Sequence, residues 1–285
     1  MGETVKLSPT PDMSPSPRNG VGRRRAWRPG IVIWLSAAFH IAALIALLVR
    51  PQWWPSILTA VFLNHVALGL IGLWPKSRLL GANMLRLPDA AANRNEITLT
   101  FDDGPDPDVT PKVLDILDLH HAKASFFVIG DKAAAHPELI REIVKRGHSI
   151  ENHSRKHSSL FGFFAWTALR KDIGGAQEII AGITGQPPAF FRSPMGIRNP
   201  MLDPVIAQLG LRYITWTRRG FDTVTGNSAV VLMRLTRNLS AGDILLLHDR
   251  LTHGQRAIVL DVLPALLNKI AAAGLKPVSL PMAMQ

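Results

Sequence analysis

Two aspartates stand side by side at Asp102 and Asp103, directly after the apolar run EITLTF, and further along His153 and His157 lie four residues apart. Four-residue spacing puts two imidazoles on one side of a helical turn or compact loop, where both can reach one metal ion. A single carboxylate beside them completes a two-histidine, one-carboxylate set with positions left open for water and substrate. That is the requirement of a hydrolytic metal centre. Adjacent carboxylates leave a strand in different directions, so one can ligate a metal while the other takes a proton from water. Taken alone, HSRKH reads equally well as a solvated basic loop, and DDGPDPD as a plain turn.

The elements that carry these residues favour the chemical reading. Beyond residue 95 short β-rich runs alternate with helical ones: EITLTF, a helix with Thr110 as its cap and Pro111 in its first turn, ASFFVI, a helix from His136 to Arg146, HSIEN, a helix after Phe164, AFFR, a helix ending near Gly210, RYITW, another helix, DILLLH, a last helix stopped by Gly274, and KPVSL. This rhythm predicts an α/β fold, a distorted (β/α) barrel of about seven parallel strands. Asp102 and Asp103, His153 and His157, Arg192, Asp222 and His248 all follow predicted strands. In a parallel barrel the loops after the strands share one face, so these residues are expected to meet there.

Composition narrows the partners. The net charge of +11 is concentrated before the barrel: residues 1–94 hold 11 Lys/Arg against 3 Asp/Glu, leaving the rest close to neutral and arguing against nucleic-acid binding. With no cysteine, a metal must be held by His, Asp or Glu. His120, His121, His136, His148 and His253 do not sit where the geometry of a metal site asks for a ligand, and read as ordinary surface or core histidines.

Residues 1–30 read as a disordered basic arm and residues 31–74 as a membrane anchor. The run 31–49 is long enough to span a bilayer, while 53–74, flanked by Trp53, Trp54 and Trp74, is interrupted by Pro55, Asn64 and His65. One or two transmembrane helices therefore precede a linker, 75–94, and a catalytic domain, 95–285. A cleaved signal peptide fits less well, because RPQWWP stands where a small-residue cleavage site would be. If both runs span, the basic residues before and after them place both ends in the cytoplasm; if only the first spans, the enzyme faces the other way.

At TFDDGP (100–105), NHSRKH (152–157), FRSPMG (191–196) and LLH (246–248), in this order, the sequence resembles the polysaccharide deacetylases, also called the NodB homology domain or carbohydrate esterase family 4. The resemblance covers roughly residues 95–280. It implies that Asp103, His153 and His157 bind a divalent metal, most often zinc, that Asp102 is the catalytic base, and that His248 is the acid that protonates the leaving amine. It further implies that Arg192 holds Asp102, that Asp222 supports His248, and that Pro194, Met195 and Trp216 border the substrate, with a backbone N–H near Met195 facing the oxyanion. Met195 replaces an aromatic residue common in the family and no Trp follows Asp222, which favours a pocket for one terminal sugar over a long polymer groove.

An anchored enzyme suits a substrate confined to the membrane. The expected reaction is removal of an N-acetyl or N-formyl group from an amino sugar on a lipid carrier, such as a polyprenyl-phosphate-linked saccharide of envelope biosynthesis. Deacetylation of chitin-like or peptidoglycan glycans is the alternative enzyme, and a non-catalytic metal- or glycan-binding membrane protein the alternative of another class. LFGFFAW (160–166) could lie on membrane lipid, and Arg155, Lys156, Arg218 and Arg219 could meet a lipid phosphate.

Overall fold

The computed structural model describes residues 26–251 and 257–285, so most of the expected basic arm, and His253, lie outside the described residues. The strands are β1 (Glu96–Asp102), β2 (Ala124–Val128), β3 (Ser149–Asn152), β4 (Phe190–Phe191), β5 (Arg212–Tyr213), β6 (Arg218–Arg219), β7 (Ile244–His248) and β8 (Lys276–Pro277). The helices are α1 (Ile31–Val49), α2 (Trp54–Gly72), α3 (Asp89–Asn93), α4 (Thr110–Leu119), α5 (Gly130–Ala135), α6 (Pro137–Lys145), α7 (Trp166–Thr184), α8 (Leu202–Gln208), α9 (Ser228–Thr236), α10 (Ile258–Ala272) and α11 (Leu280–Ala283). Every strand pairing is parallel, in the order β5-β4-β3-β2-β1-β7-β6, with β8 beside the foot of β1. β5 and β6 are not paired with each other, so the barrel is a half-barrel.

Strand periodicity explains how β1 serves two environments. Ile97, Leu99 and Phe101 join the core made with Val113, Leu114 and Leu117 of α4 and Leu263, Leu266 and Leu267 of α10. The alternate residues Thr98, Thr100 and Asp102 are also buried. Thr100 accepts a hydrogen bond from Arg192 Nη1, at 2.9 Å, so a polar network occupies the other side of the strand.

The segment expected to be a linker packs against the barrel instead. Leu80, Leu87 and Ala91 are buried. Met84 forms a parallel bridge with Ile214, its N–H donating to Tyr213 O and its carbonyl accepting from Thr215 N. Asn83 and Leu85 accept from Thr215 Oγ1 and Thr217 Oγ1. This segment therefore lines the break between β5 and β6, and supplies the backbone partners that a closed barrel would draw from a strand. Thr110 also departs from expectation. It is the first residue of α4 but caps no backbone N–H of that helix; its hydroxyl accepts from Asp106 N and donates to the buried Asp249.

α1 and α2 form an antiparallel hairpin joined by Asn64 Nδ2 to Ser36 Oγ at 2.9 Å and by edge-on contact between the rings of His40 and His65. Both are long and apolar enough to cross a membrane, and their large apolar side chains, such as Trp34, Leu44, Leu58 and Phe62, are exposed in the chain alone.

Burial at the foot of β3 gives a test of the core. His148 is buried against Phe126, its Nδ1 accepting from Ala124 N, and that burial pulls its pKa down from 6.5 to about 4. A depressed histidine pKa means that protons bind the unfolded chain first, so stability is lost as pH falls from about 6.5 towards about 4. In denaturant unfolding of the detergent-solubilised chain, His148→Gln should narrow the gap between the neutral and acid stabilities, by an amount on the order of 3 kcal/mol. An unchanged gap contradicts this placement of the ring.

Candidate active site

The end of β1 separates its two acids by backbone conformation. Asp102 is the last strand residue, whereas Asp103 has φ 72°, a left-handed conformation that aspartate tolerates better than most residues. The turn sends the two carboxylates to different neighbours. Asp102 Oδ1 lies 2.6 Å from Arg192 Nη1 and its Oδ2 lies 3.8 Å from His153 Nε2. Asp103 Oδ1 lies 3.4 Å from His153 Nε2 and 3.0 Å from His157 Nε2.

The histidine loop is compact and not a solvated basic loop. Asn152 Oδ1 accepts from Ser154 N, Ser154 Oγ accepts from His157 N, and buried Asp172 accepts from the backbone N–H groups of Arg155 and Lys156. Ser154 and His157 take positive φ values of 67° and 49°, which folds His157 back over Asp103. His153 engages Arg192 O through Nδ1 at 2.8 Å, leaving Nε2 to face the carboxylates.

These three side chains fit a divalent cation. Their ligand atoms lie within 4.8 Å of one another, and Asp103 Oδ1 is buried without a hydrogen-bond partner. Burial opposes ionisation of Asp103, yet the two imidazoles outweigh it and hold its carboxyl far below the usual range. Burial likewise opposes protonation of His153, but Asp102 and Asp103 win and raise its pKa. Both shifts express one condition: buried negative charge that draws positive charge to its centre.

Arg192 is the largest fully buried side chain among the described residues. Besides Asp102 it donates to Thr100 Oγ1 and to Thr215 O at 2.8 Å, and its guanidinium stacks 4.2 Å above the ring of Phe127. Across the pocket His248, at the end of β7, is held by Asp222. Its Nδ1 is 2.9 Å from Asp222 Oδ1, and its backbone N–H donates to Asp222 Oδ2. Burial would lower the His248 pKa, but Asp222, joined by the charges of Asp102 and Asp103, more than offsets it and raises the pKa above that of a free histidine.

Asp102, Asp103, His153, His157, Met195, Trp216 and His248 line one pocket, as the strand-end argument requires. Arg192 and Asp222 sit behind it as supports. Pro194 is buried beneath the turn that lifts Met195, which has φ 57°, to the mouth, and is not part of the lining. Two further lining residues are arginines. Arg250, whose only signal in the sequence is its place two residues after His248, places Nε 2.8 Å from Asp103 Oδ2. Arg219 reaches the pocket packed between Trp216 and Phe221, at 5.2 and 4.8 Å from their ring centres, and has no carboxylate partner among the described residues. Of the other cations expected near a lipid phosphate, Arg155 is bound to Asp131 and Arg218 to Asp243, and neither they nor Lys156 line the pocket.

The mouth is joined to the apolar hairpin. Arg198, just after the Met195 turn, donates its backbone N–H to Gly72 O at the end of α2, at 3.0 Å. A side chain at Gly196 would meet both Pro75 and Trp216 at 2.8 Å, which shows how closely the segment leaving α2 is packed against the pocket wall.

A family model described as polysaccharide deacetylase matches residues 89–214. The chain is 31% identical over 200 residues to a peptidoglycan-N-acetylglucosamine deacetylase of Bacillus cereus, covering 68% of this chain and 70% of that one. It is 35% identical over 158 residues to a chitooligosaccharide deacetylase of Azorhizobium caulinodans, covering 55% of this chain and 75% of the relative. Among solved structures it resembles a family 4 carbohydrate esterase from Streptomyces lividans in complex with acetate, with TM-score 0.59 and 30% identity over 64% of this chain and 91% of that one.

The buried ion pair behind the pocket makes a stability prediction. Arg192→Met strands the Asp102 charge and should cost about 3–5 kcal/mol in denaturant unfolding. Adding Asp102→Asn removes that charge and should restore a large part of the loss. A double variant as unstable as the two single losses summed would contradict direct coupling.

Proposed function

This chain belongs to the polysaccharide deacetylase family, enzymes that hydrolyse the N-acetyl amide bonds of amino sugars, and from that premise we propose that it is a metal-dependent N-deacetylase working at a membrane surface on an amino sugar joined through phosphate to a polyprenyl lipid. The observation that carries the membrane and lipid part is the bond from Arg198 N to Gly72 O, which ties the end of an apolar hairpin to the rim of the pocket. Arg219, charged and without a carboxylate partner among the described residues, supports a phosphate on the substrate. With both helices spanning, their basic flanks favour the cytoplasmic side.

In this reading Asp103, His153 and His157 hold the cation, zinc being the best match to one carboxylate and two imidazoles. When bound, the cation polarises the acyl carbonyl and acidifies the attacking water. Asp102, oriented by Arg192, accepts a proton from that water while the water oxygen adds to the acyl carbon. His248, kept protonated by Asp222, gives a proton to the nitrogen as the C–N bond breaks, releasing a free amine and acetate. Met195 and Trp216 border the sugar, and the backbone at the Met195 turn faces the developing oxyanion. The relatives named for peptidoglycan and chitooligosaccharides support a second reading, in which the substrate is a glycan chain.

Amine release from matched N-acetylated sugars, free and polyprenyl-phosphate-linked, tests the proposal. Turnover of the lipid-linked sugar should be abolished by a chelator and restored by zinc, and Asp102→Asn should lose about 10²–10⁴-fold in kcat while keeping its metal. Turnover confined to free oligosaccharides would reject the lipid reading in favour of the glycan one. The His248–Asp222 pair also fixes a pH signature. The general acid must be protonated, so the rate falls on the alkaline side, and Asp222→Asn, which removes the strongest of the groups raising the His248 pKa, should move that fall to lower pH. An unmoved alkaline limb would reject His248 as the acid.

A further inference from the structure

Leu160 and Phe163 stand out among the exposed apolar side chains of the barrel. The turn Phe161–Phe163 splits its residues sharply: Phe161 is buried against Phe191 and Tyr213, whereas Leu160 is 61% and Phe163 88% exposed. The turn is firmly held from below. Asn199 Nδ2 donates to Gly162 O at 3.1 Å and to Phe164 O at 2.9 Å, and a side chain at Gly162 would lie 2.7 Å from Ile197 Cγ2. Between Ile197 and Asn199 stands Arg198, whose backbone N–H is bonded to the last residue of α2. Its buried guanidinium reaches Ser77 O, on the segment that leaves the helix. Two apolar side chains are thus displayed at a fixed place one packed layer from the point where α2 ends. That end carries exposed Leu73 and Trp74, residues of the kind that occupy a lipid–water boundary.

We propose that the turn bearing Leu160 and Phe163 is a second membrane contact, which enters the lipid–water boundary beside the end of α2 and holds the pocket mouth against the bilayer. The inference rests on the reading of α1 and α2 as a bilayer-spanning hairpin. It adds a second, separate point of contact to the packed junction at the end of α2, so that the tilt of the domain against the bilayer is fixed at two places and not at the hairpin alone. The occupant is lipid and not another protein because the turn is tied, through Ile197, Arg198 and Asn199, to the end of the apolar hairpin and so stands beside the place where that hairpin would leave the bilayer.

The chain contains no cysteine, so single-cysteine variants report one position each. Phe163→Cys, Leu44→Cys in the second half of α1 and Leu119→Cys at the far end of α4 would each carry an environment-sensitive fluorophore. The full chain would be reconstituted in phosphatidylethanolamine–phosphatidylglycerol vesicles with lipids nitroxide-labelled near the headgroup or deep in the acyl chain. Leu119 is 78% exposed and lies at the opposite end of the strands from Asp102, so its label should escape both quenchers. The label at Phe163 should be quenched several-fold by the shallow nitroxide, and that at Leu44 by the deep one. Quenching at Leu44 without quenching at Phe163 overturns the second contact while leaving the anchor standing. A Phe163 label shielded from water but untouched by either nitroxide overturns it in favour of a protein partner. No quenching at Leu44 overturns the anchor and this inference with it.

Discussion

The site is organised around a guanidinium with no access to water. Arg192 is fully buried, and a charge in that position needs compensating partners. Asp102 and Thr100 from β1 answer its Nη1, and Thr215 O, after β5, its Nη2; Nε is left without a hydrogen-bond partner among the described residues, and its own carbonyl engages His153 Nδ1. One residue thus fixes the direction of the Asp102 carboxylate and of the His153 ring, and it does so from within the half-barrel, where neither can drift. Asp102 and Asp103 keep different surroundings because a single left-handed residue separates their directions.

The same logic governs the rim. A half-barrel leaves an opening between β5 and β6, and residues 83–85, running on from the apolar hairpin, pack into it. The barrel is completed by the chain that leads to it, so the hairpin and the pocket wall are a continuous packed structure. That continuity is why the end of α2, the Met195 turn and Trp216 come into contact.

Much of this was legible in the sequence, and for a physical reason. Parallel strands put all their following loops on one face, so residues after EITLTF, HSIEN and DILLL had to converge whatever the details of the helices. Other features depended on tertiary partners. Residues 75–94 show no strand or helix period because Met84, Leu80 and Leu87 are held by Ile214, Gly242 and their neighbours and not by a regular element. The run RYITW does not continue as one strand: after Tyr213 its backbone turns to Met84. Thr110 beside Pro111 looks like a cap, but the buried Asp249 claims its hydroxyl. Arg218 and Arg219 are adjacent and alike in sequence. Only the alternation of β6 decides that one meets Asp243 and the other the pocket.

The central claim is that Asp103, His153 and His157 hold one divalent cation. The most direct measurement is X-ray absorption on the zinc-loaded full chain in detergent, combined with metal content per chain. The account predicts one zinc per chain with two imidazoles and oxygen ligands in its shell, and loss of one imidazole in His157→Ala. A chain that binds no stoichiometric metal, or whose metal keeps two imidazoles in that variant, would contradict it.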